Sequence, residues 1–280
     1  MRLIDTHVHL DLDAFADDRP QILARCRARG VERLVIPGIQ ASGWSRLLAL
    51  AHQQPGLYAA LGLHPLLLDV HRPADLAQLE QQLRQGQADP VLCAIGEIGL
   101  DFLSARTPAG QAAQQQLLEA QLALAACFRL PVLLHVRRAH ARMIATLKRH
   151  ALPRRGIVHA FSGSLEEARE YLRLGYWLGL GGAGTWPQAR RMHRVLQQLP
   201  PEALVLETDA PDMPPAGHAG ERNSPELLPE ICQNLARRRG IPARQLAESS
   251  YLAACRVFGW RPSEQHIAQR KSHIPEHGSP

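Results

Sequence analysis

The sequence has almost no lysine and few aromatic residues: of its 32 basic residues only Lys148 and Lys271 are lysines, and Phe, Trp and Tyr make up 5% of the chain. A lysine-rich nucleic-acid arm and an aromatic RNA-binding signature are thereby excluded, and the weight of arginine and alanine fits a coding bias as well as it fits a function. Cysteine is also scarce, with five residues at 26, 93, 127, 232 and 255 and no CxxC pair. That spacing argues against a disulfide framework or a Cys-ligated zinc and predicts reduced, mostly buried thiols. No 18-residue apolar run occurs, and no basic region precedes an apolar leader at the N-terminus, so a cytoplasmic protein is expected. A GxSxG elbow is missing as well, which disfavours a serine nucleophile.

What is present suits one large α/β domain. The chain has 280 residues, 45% of them hydrophobic, and a net charge of +6 that suits an anionic partner such as nucleic acid or a phosphorylated metabolite. Eight short apolar runs are expected as strands, at 2–10, 32–39, 57–65, 91–100, 131–139, 156–163, 176–182 and 203–211. Longer amphipathic stretches separate them, and near-continuous apolar strands indicate a parallel sheet covered on both faces. Eight alternations predict a (β/α)8 TIM barrel; an open doubly wound sheet is the alternative, but no glycine-rich phosphate loop follows the first strand. The single domain is expected over residues 1–260, with a polar, loosely attached or disordered tail over 261–280. The tail histidines 266, 273 and 277 read as solvated rather than as a metal site.

The chemistry gathers at the ends of the predicted strands. IDTHVHL, residues 4–10, carries an HxH pair with Asp5 behind it, and in a strand residues two apart face the same way, so His7 and His9 could share a metal. With 14 histidines in the chain, roughly 0.7 HxH pairs are expected by chance, so the pair needs company. It has company: His64 ends the third predicted strand, Glu97 and Asp101 the fourth, His135 and Arg137 the fifth, His159 the sixth and Asp209 the eighth. Barrel active sites form at these C-terminal strand ends. Imidazole and carboxylate donors suit divalent first-row ions, and two ions about 3.5–4 Å apart can generate hydroxide from water and stabilise the attacking and leaving oxygens of a phosphoryl transfer. GLGGAG at 179–184 reads as tight packing around the seventh strand or, less strongly, as a phosphate cradle.

Taken in order, IDTHVHL (4–10), GLHP (62–65), GEIGLD (96–101), PVLLHVR (131–137), VHAFSG (158–163), LETDAP (206–211) and RNSP (222–225) resemble the TatD-type deoxyribonucleases and TatD-like metal-dependent hydrolases of the amidohydrolase superfamily. The resemblance spans residues 2 to about 260 and implies a distorted TIM barrel with one or two divalent ions, zinc, magnesium or manganese. It implies His7, His9, Glu97, His135, His159 and Asp209 as ligands: His7 and His9 with Glu97 and Asp209 around the first ion, and Glu97 with His135 and His159 around the second. It further implies Glu97 and Asp209 as catalytic, with Asp209 taking a proton from the attacking water. His64 resembles a position that faces the substrate phosphate, and Asp101 and Arg137 support ligands or orient substrate.

The chain departs from the family pattern at HVRRAH, residues 135–140, where HSRDA is common. Arg138 there replaces an acid; it either contacts a phosphate or pairs with Asp212 or another surface acid. Leu103 stands where a second aromatic is frequent, and the departures bear on substrate rather than on metal. The leading expectation is hydrolysis of phosphodiester bonds, most plausibly in DNA, with no membrane and no obligate protein partner. The rival is hydrolysis of a small ester, lactone or amide by the same chemistry. A non-catalytic barrel is disfavoured because no ligand position is lost.

Overall fold

The computed structural model describes residues 1–262, so the expected tail lies outside the described residues except for Arg261 and Pro262. Eight strands run in chain order: β1 (Leu3–Asp5), β2 (Val31–Pro37), β3 (Leu57–Leu61), β4 (Leu92–Asp101), β5 (Val132–Arg137), β6 (Gly156–Val158), β7 (Trp177–Leu180) and β8 (Leu204–Leu206). Each pairs in parallel with the next in the order β1-β2-β3-β4-β5-β6-β7-β8. The sheet closes where Thr6 N–H donates to Leu206 O at 3.1 Å and Asp209 N–H to His7 O at 2.9 Å. This is the expected TIM barrel, and the doubly wound alternative falls with the strand order.

Around the strands lie α1 (Arg19–Ala28), α2 (Trp44–Gln53), α3 (Pro73–Gln85), α4 (Pro108–Phe128), α5 (His140–Arg149), α6 (Leu165–Arg173), α7 (Arg190–Gln198), α8 (Leu228–Arg239) and α9 (Ala243–Phe258). Local chemistry fixes several starts. Thr107 accepts from Gly110 N–H at the head of α4 with Pro108 in the first turn, and Ser164 with Glu167 forms a reciprocal capping box on α6.

Alternating residues of the strands serve two apolar layers. Leu3, Leu34, Leu61, Ile95, Leu134 and Leu178 belong to the layer shared with the helices, where Trp44, Leu118, Tyr171 and Leu235 are buried. Ile4, Val35, Ala60, Ala94, Leu133, Ile157 and Val205 form the barrel interior, packed with Tyr251 and Phe258 of α9. Each such Leu, Ile or Val side chain contributes about 1.5–3 kcal/mol by leaving water. Both layers leave one end of the barrel to polar residues.

Every strand except β4 is shorter than the sequence suggests, and β3 ends at Leu61, before His64. β1 stops at Asp5, so His7 and His9 stand beyond the ladder rather than on a regular strand face. The reason is hydrogen bonding: the Asp5 carboxylate accepts from His7 N–H at 3.2 Å and from Thr208 N–H at 3.0 Å, drawing the backbone out of the ladder. β6 and β8 likewise end before His159 and Asp209. Four of the five free cysteines are buried, as expected, and Cys127 is exposed.

Candidate metal centre

Six elements deliver side chains to one point. Glu97 comes from the middle of β4, where the register against β5 shifts between Ile95 and Ile98; such an irregularity re-aims a side chain. Gly62 makes room for that segment, since a Cβ there would meet the backbone carbonyl carbon of Gly96 at 2.7 Å. Glu97 Oε2 lies 3.2 Å from His7 Nε2 and 3.7 Å from His9 Nε2, and both nitrogens lie 3.7 Å from Asp209 Oδ1. Glu97 Oε1 lies 2.7 Å from His159 Nε2 and 3.1 Å from His135 Nδ1. One carboxylate therefore presents one oxygen to each of two donor groups. Asp209 reaches this point from a left-handed backbone conformation, φ 59°, which Asp tolerates better than most residues.

Burial works to raise the Glu97 pKa, but the imidazoles of His64, His159 and His7 outweigh it and hold the carboxyl well below its ordinary value. Burial, with His159 alongside, pushes His7 down to about 3, so its ring is neutral and offers lone pairs. Burial also disfavours charge on His159, yet the Glu97 carboxylate beside it raises that imidazole to about 10. Burial raises Asp209 above the usual carboxylate range.

The donor set fits divalent cations. Neither nitrogen of the buried His7 ring makes a hydrogen bond, nor does His159 Nδ1. His135 Nδ1 and His159 Nε2 face each other at 3.3 Å, two ring nitrogens that a shared cation would satisfy. His7, His9 and Glu97 offer ligand atoms within 4.8 Å of one another, as do His7, His159 and Asp209. His64, Glu97 and His135 do so too, but Leu66 N–H donates to His64 Nδ1 at 3.1 Å. The His64 proton then sits on Nε2 and is donated to Glu97 Oε1 at 3.0 Å. His64 thus anchors Glu97 and lines the pocket without offering a free lone pair.

Behind the donors stands a layer that the sequence reading only partly found. Asp101 is fully buried and its Oδ2 accepts from His135 Nε2 at 3.0 Å, so of its two expected roles the geometry favours support of a ligand. Glu207, unassigned from sequence, is fully buried, raised by burial to about 8, and accepts from Ala160 N–H next to His159. Gly179 leaves it space, because a Cβ there would meet Glu207 Oε2 at 2.2 Å; the glycine-rich stretch is packing and not a phosphate cradle. Gln114 of α4 accepts from Asp101 N–H at 2.8 Å and donates to Pro65 O at 3.0 Å, while Gln121 pairs with both backbone groups of Leu63. These two glutamines stand seven residues apart on the buried face of α4 with Leu118 and Leu122, and polar residues on an apolar stripe were their sequence signal. Asn223 of the RNSP motif donates to Thr208 O and Asp212 O, tying that motif to the Asp209 loop.

The donors open into a cavity of about 640 Å³ lined by His9, His64, Glu97, His135, His159 and Asp209, with apolar walls that include Leu66 and Met192. Arg137 is exposed at its rim. Asp212 also lines it, but Arg138 makes no ion pair with Asp212 or with any described acid, so the salt-bridge alternative for Arg138 is not realised.

The family model described as TatD related DNase matches residues 4–259. The Escherichia coli (strain K12) protein named uncharacterized metal-dependent hydrolase YjjV is 45% identical over 248 residues, covering 89% of this chain and 94% of the relative. The Edwardsiella piscicida protein named 3'-5' ssDNA/RNA exonuclease TatD is 36% identical over 268 residues, covering 91% of this chain and 99% of the relative. The crystal structure of YjjV from E. coli K12 superposes with a TM-score of 0.88 at 41% identity, over 93% of this chain and 99% of that one. No described helix is long and apolar enough to cross a membrane.

Proposed function

This chain belongs to the TatD related DNase family of metal-dependent hydrolases, and on that premise we propose that it cleaves phosphodiester bonds of single-stranded nucleic acid with water. The observation that carries the reading is Glu97, whose two oxygens meet two separate groups of donors at 2.7 to 3.7 Å. His7, His9, Glu97 and Asp209 would hold one divalent ion, and Glu97, His135 and His159 a second. When bound, the ions act as Lewis acids on the phosphate and favour ionisation of water.

The chain's own groups do the rest. Asp209, raised in pKa by burial and standing at the cavity wall, takes the proton of the attacking water. His64 holds Glu97 in place through Nε2 and faces the cavity. Asp101 fixes the ring of His135. Arg137 at the rim orients the substrate backbone by pairing with a phosphate oxygen. The relatives named exonuclease favour a phosphodiester over a carbonyl substrate. The free thiols fit work in the reducing cytoplasm, with nucleic acid as the partner.

The test is hydrolysis by the metal-loaded protein of a labelled single-stranded oligonucleotide beside a panel of carbonyl esters, lactones and amides. Strand cleavage that Glu97→Ala abolishes without unfolding is the expected result. Carbonyl turnover without strand cleavage would overturn the reading.

A further inference from the structure

A second cavity, of about 600 Å³, opens beside the metal pocket and shares Arg137 and Ser162 with it. Its remaining charged lining consists of Arg138 between β5 and α5, Arg142 in the first turn of α5, Arg191 of α7, and Glu167. Glu167 is already committed, accepting from Ser164 N–H at 2.7 Å in the cap of α6. The guanidinium groups of Arg137, Arg138, Arg142 and Arg191 have no hydrogen-bond or ion-pair partner among the described residues, and all four residues are exposed. Some other arginines pair with acids, such as Arg25 with Glu226, Arg84 with Glu80 and Arg222 with Asp18. Four unneutralised cations about one hollow repel each other, and an anion relieves that repulsion.

Two further observations point to a ligand. His140 lines the cavity and is only 9% exposed; its Nδ1 meets the Tyr171 hydroxyl at 3.1 Å, while Nε2 has no hydrogen-bond partner among the described residues. Half-buried Phe102 lines the same space, and an aromatic face within a basic groove is how sequence-tolerant proteins hold single strands.

We propose that this cavity holds a backbone phosphate of the same strand, next to the phosphate being cleaved. Arg138, Arg142 and Arg191 clamp it, and the adjoining base packs on Phe102. The inference rests on the nuclease reading, because its occupant is continuous with the substrate in the metal pocket through Arg137 and Ser162. Planar guanidinium forks match phosphate oxygens two at a time, and the lining shared with the metal pocket makes that phosphate part of the substrate strand. The enzyme then selects a strand that fills both cavities over a small phosphodiester that fills one. Arg138, where the family pattern has an acid, adds to the positive charge that Arg137, Arg142 and Arg191 give this hollow.

The experiment measures binding of a fluorescein-labelled ten-residue oligothymidylate by anisotropy at several salt concentrations, in metal-loaded Asp209→Asn protein so that cleavage is slow. Adding Arg138→Gln, Arg142→Gln and Arg191→Gln should weaken binding about 10-fold or more. It should also flatten the salt dependence by about 0.7 in log–log slope, the value for one phosphate contact on a single strand. Replacing the same residues by lysine should restore much of the slope. In the otherwise unaltered enzyme, the three glutamine changes should leave turnover of bis(4-nitrophenyl) phosphate within about twofold of the parent. Unchanged oligonucleotide affinity and slope would overturn the inference, as would an equal loss on the small diester. Salt-dependent binding that responds to the three substitutions, with the bound strand left intact by the wild type, would sink the nuclease reading and leave the cavity's assignment standing.

Discussion

Asp101 accepts from His135 Nε2 at 3.0 Å, and that contact leaves Nδ1 as the ring atom that faces Glu97 at 3.1 Å. A carboxylate behind an imidazole ligand fixes its tautomer and orientation. Asp101→Asn keeps the Oδ1 acceptor for Leu103 N–H and Ser104 N–H but sets an amide or a weaker acceptor against His135. Metal affinity, read by titration with zinc or manganese, should fall about 10–100-fold with little change in the melting curve. Unaltered affinity would show that His135 does not need this support.

Asp209→Asn removes the proton acceptor, and one carboxylate of the first donor group, while keeping shape, so it is assayed at saturating metal. Turnover should fall about 10²–10⁴-fold, the usual contribution of a positioned general base, with oligonucleotide binding retained. Single-turnover kinetics beside anisotropy separate the two effects; a loss confined to binding would argue against the role.

Chelation should abolish turnover, and addition of a divalent ion should restore it. It should also lower thermal stability, because an ion present at about 100 times its Kd adds roughly 2.7 kcal/mol to the folded state. A melting temperature indifferent to chelator would mean that the donors hold no ion under those conditions.

Gly179→Ala places a methyl group where Glu207 Oε2 now lies, 2.2 Å from the new Cβ. Overpacking of this kind costs about 1–3 kcal/mol, and displacement of Glu207 should disturb Ala160 and the neighbouring His159. Urea unfolding and metal affinity should both decline; a neutral result in both would show that the β7 wall yields freely.

Burial lowers the pKa of His140 from its ordinary 6.5, so the unfolded chain binds this proton at a higher pH than the folded one. Stability from His140 is therefore complete above about pH 6.5 and is lost as pH falls below it. The stability advantage of the wild type over His140→Gln should shrink between pH 7.5 and pH 5.5 in urea melts. A constant difference would contradict a neutral, buried His140.

The barrel and the donors were legible for different reasons. Apolar runs such as residues 91–100 and 131–139 announced β4 and β5 because a strand covered on both faces must be apolar throughout. Histidines and acids at the ends of such runs stood out against that background, and the family motifs gave them partners. Gln114, Gln121 and Glu207 were not assigned, because their roles depend on backbone groups of Leu63, Asp101 and Ala160 far away in the chain. The strands end at Asp5, Leu61, Val158 and Leu206, earlier than the apolar pattern does, since an extended chain keeps that pattern after it leaves the ladder.

The sequence by itself determined the alternation of eight strands with helices, and with it the end of the barrel where polar groups would gather, because side-chain periodicity follows from backbone geometry alone. Only the tertiary structure decided which oxygen of Glu97 meets which imidazole, that Asp101 turns toward His135, and that Arg138, Arg142 and Arg191 surround one hollow without a compensating partner. Those outcomes depend on distances of a few ångströms between residues up to about 200 positions apart, which closure of the barrel sets.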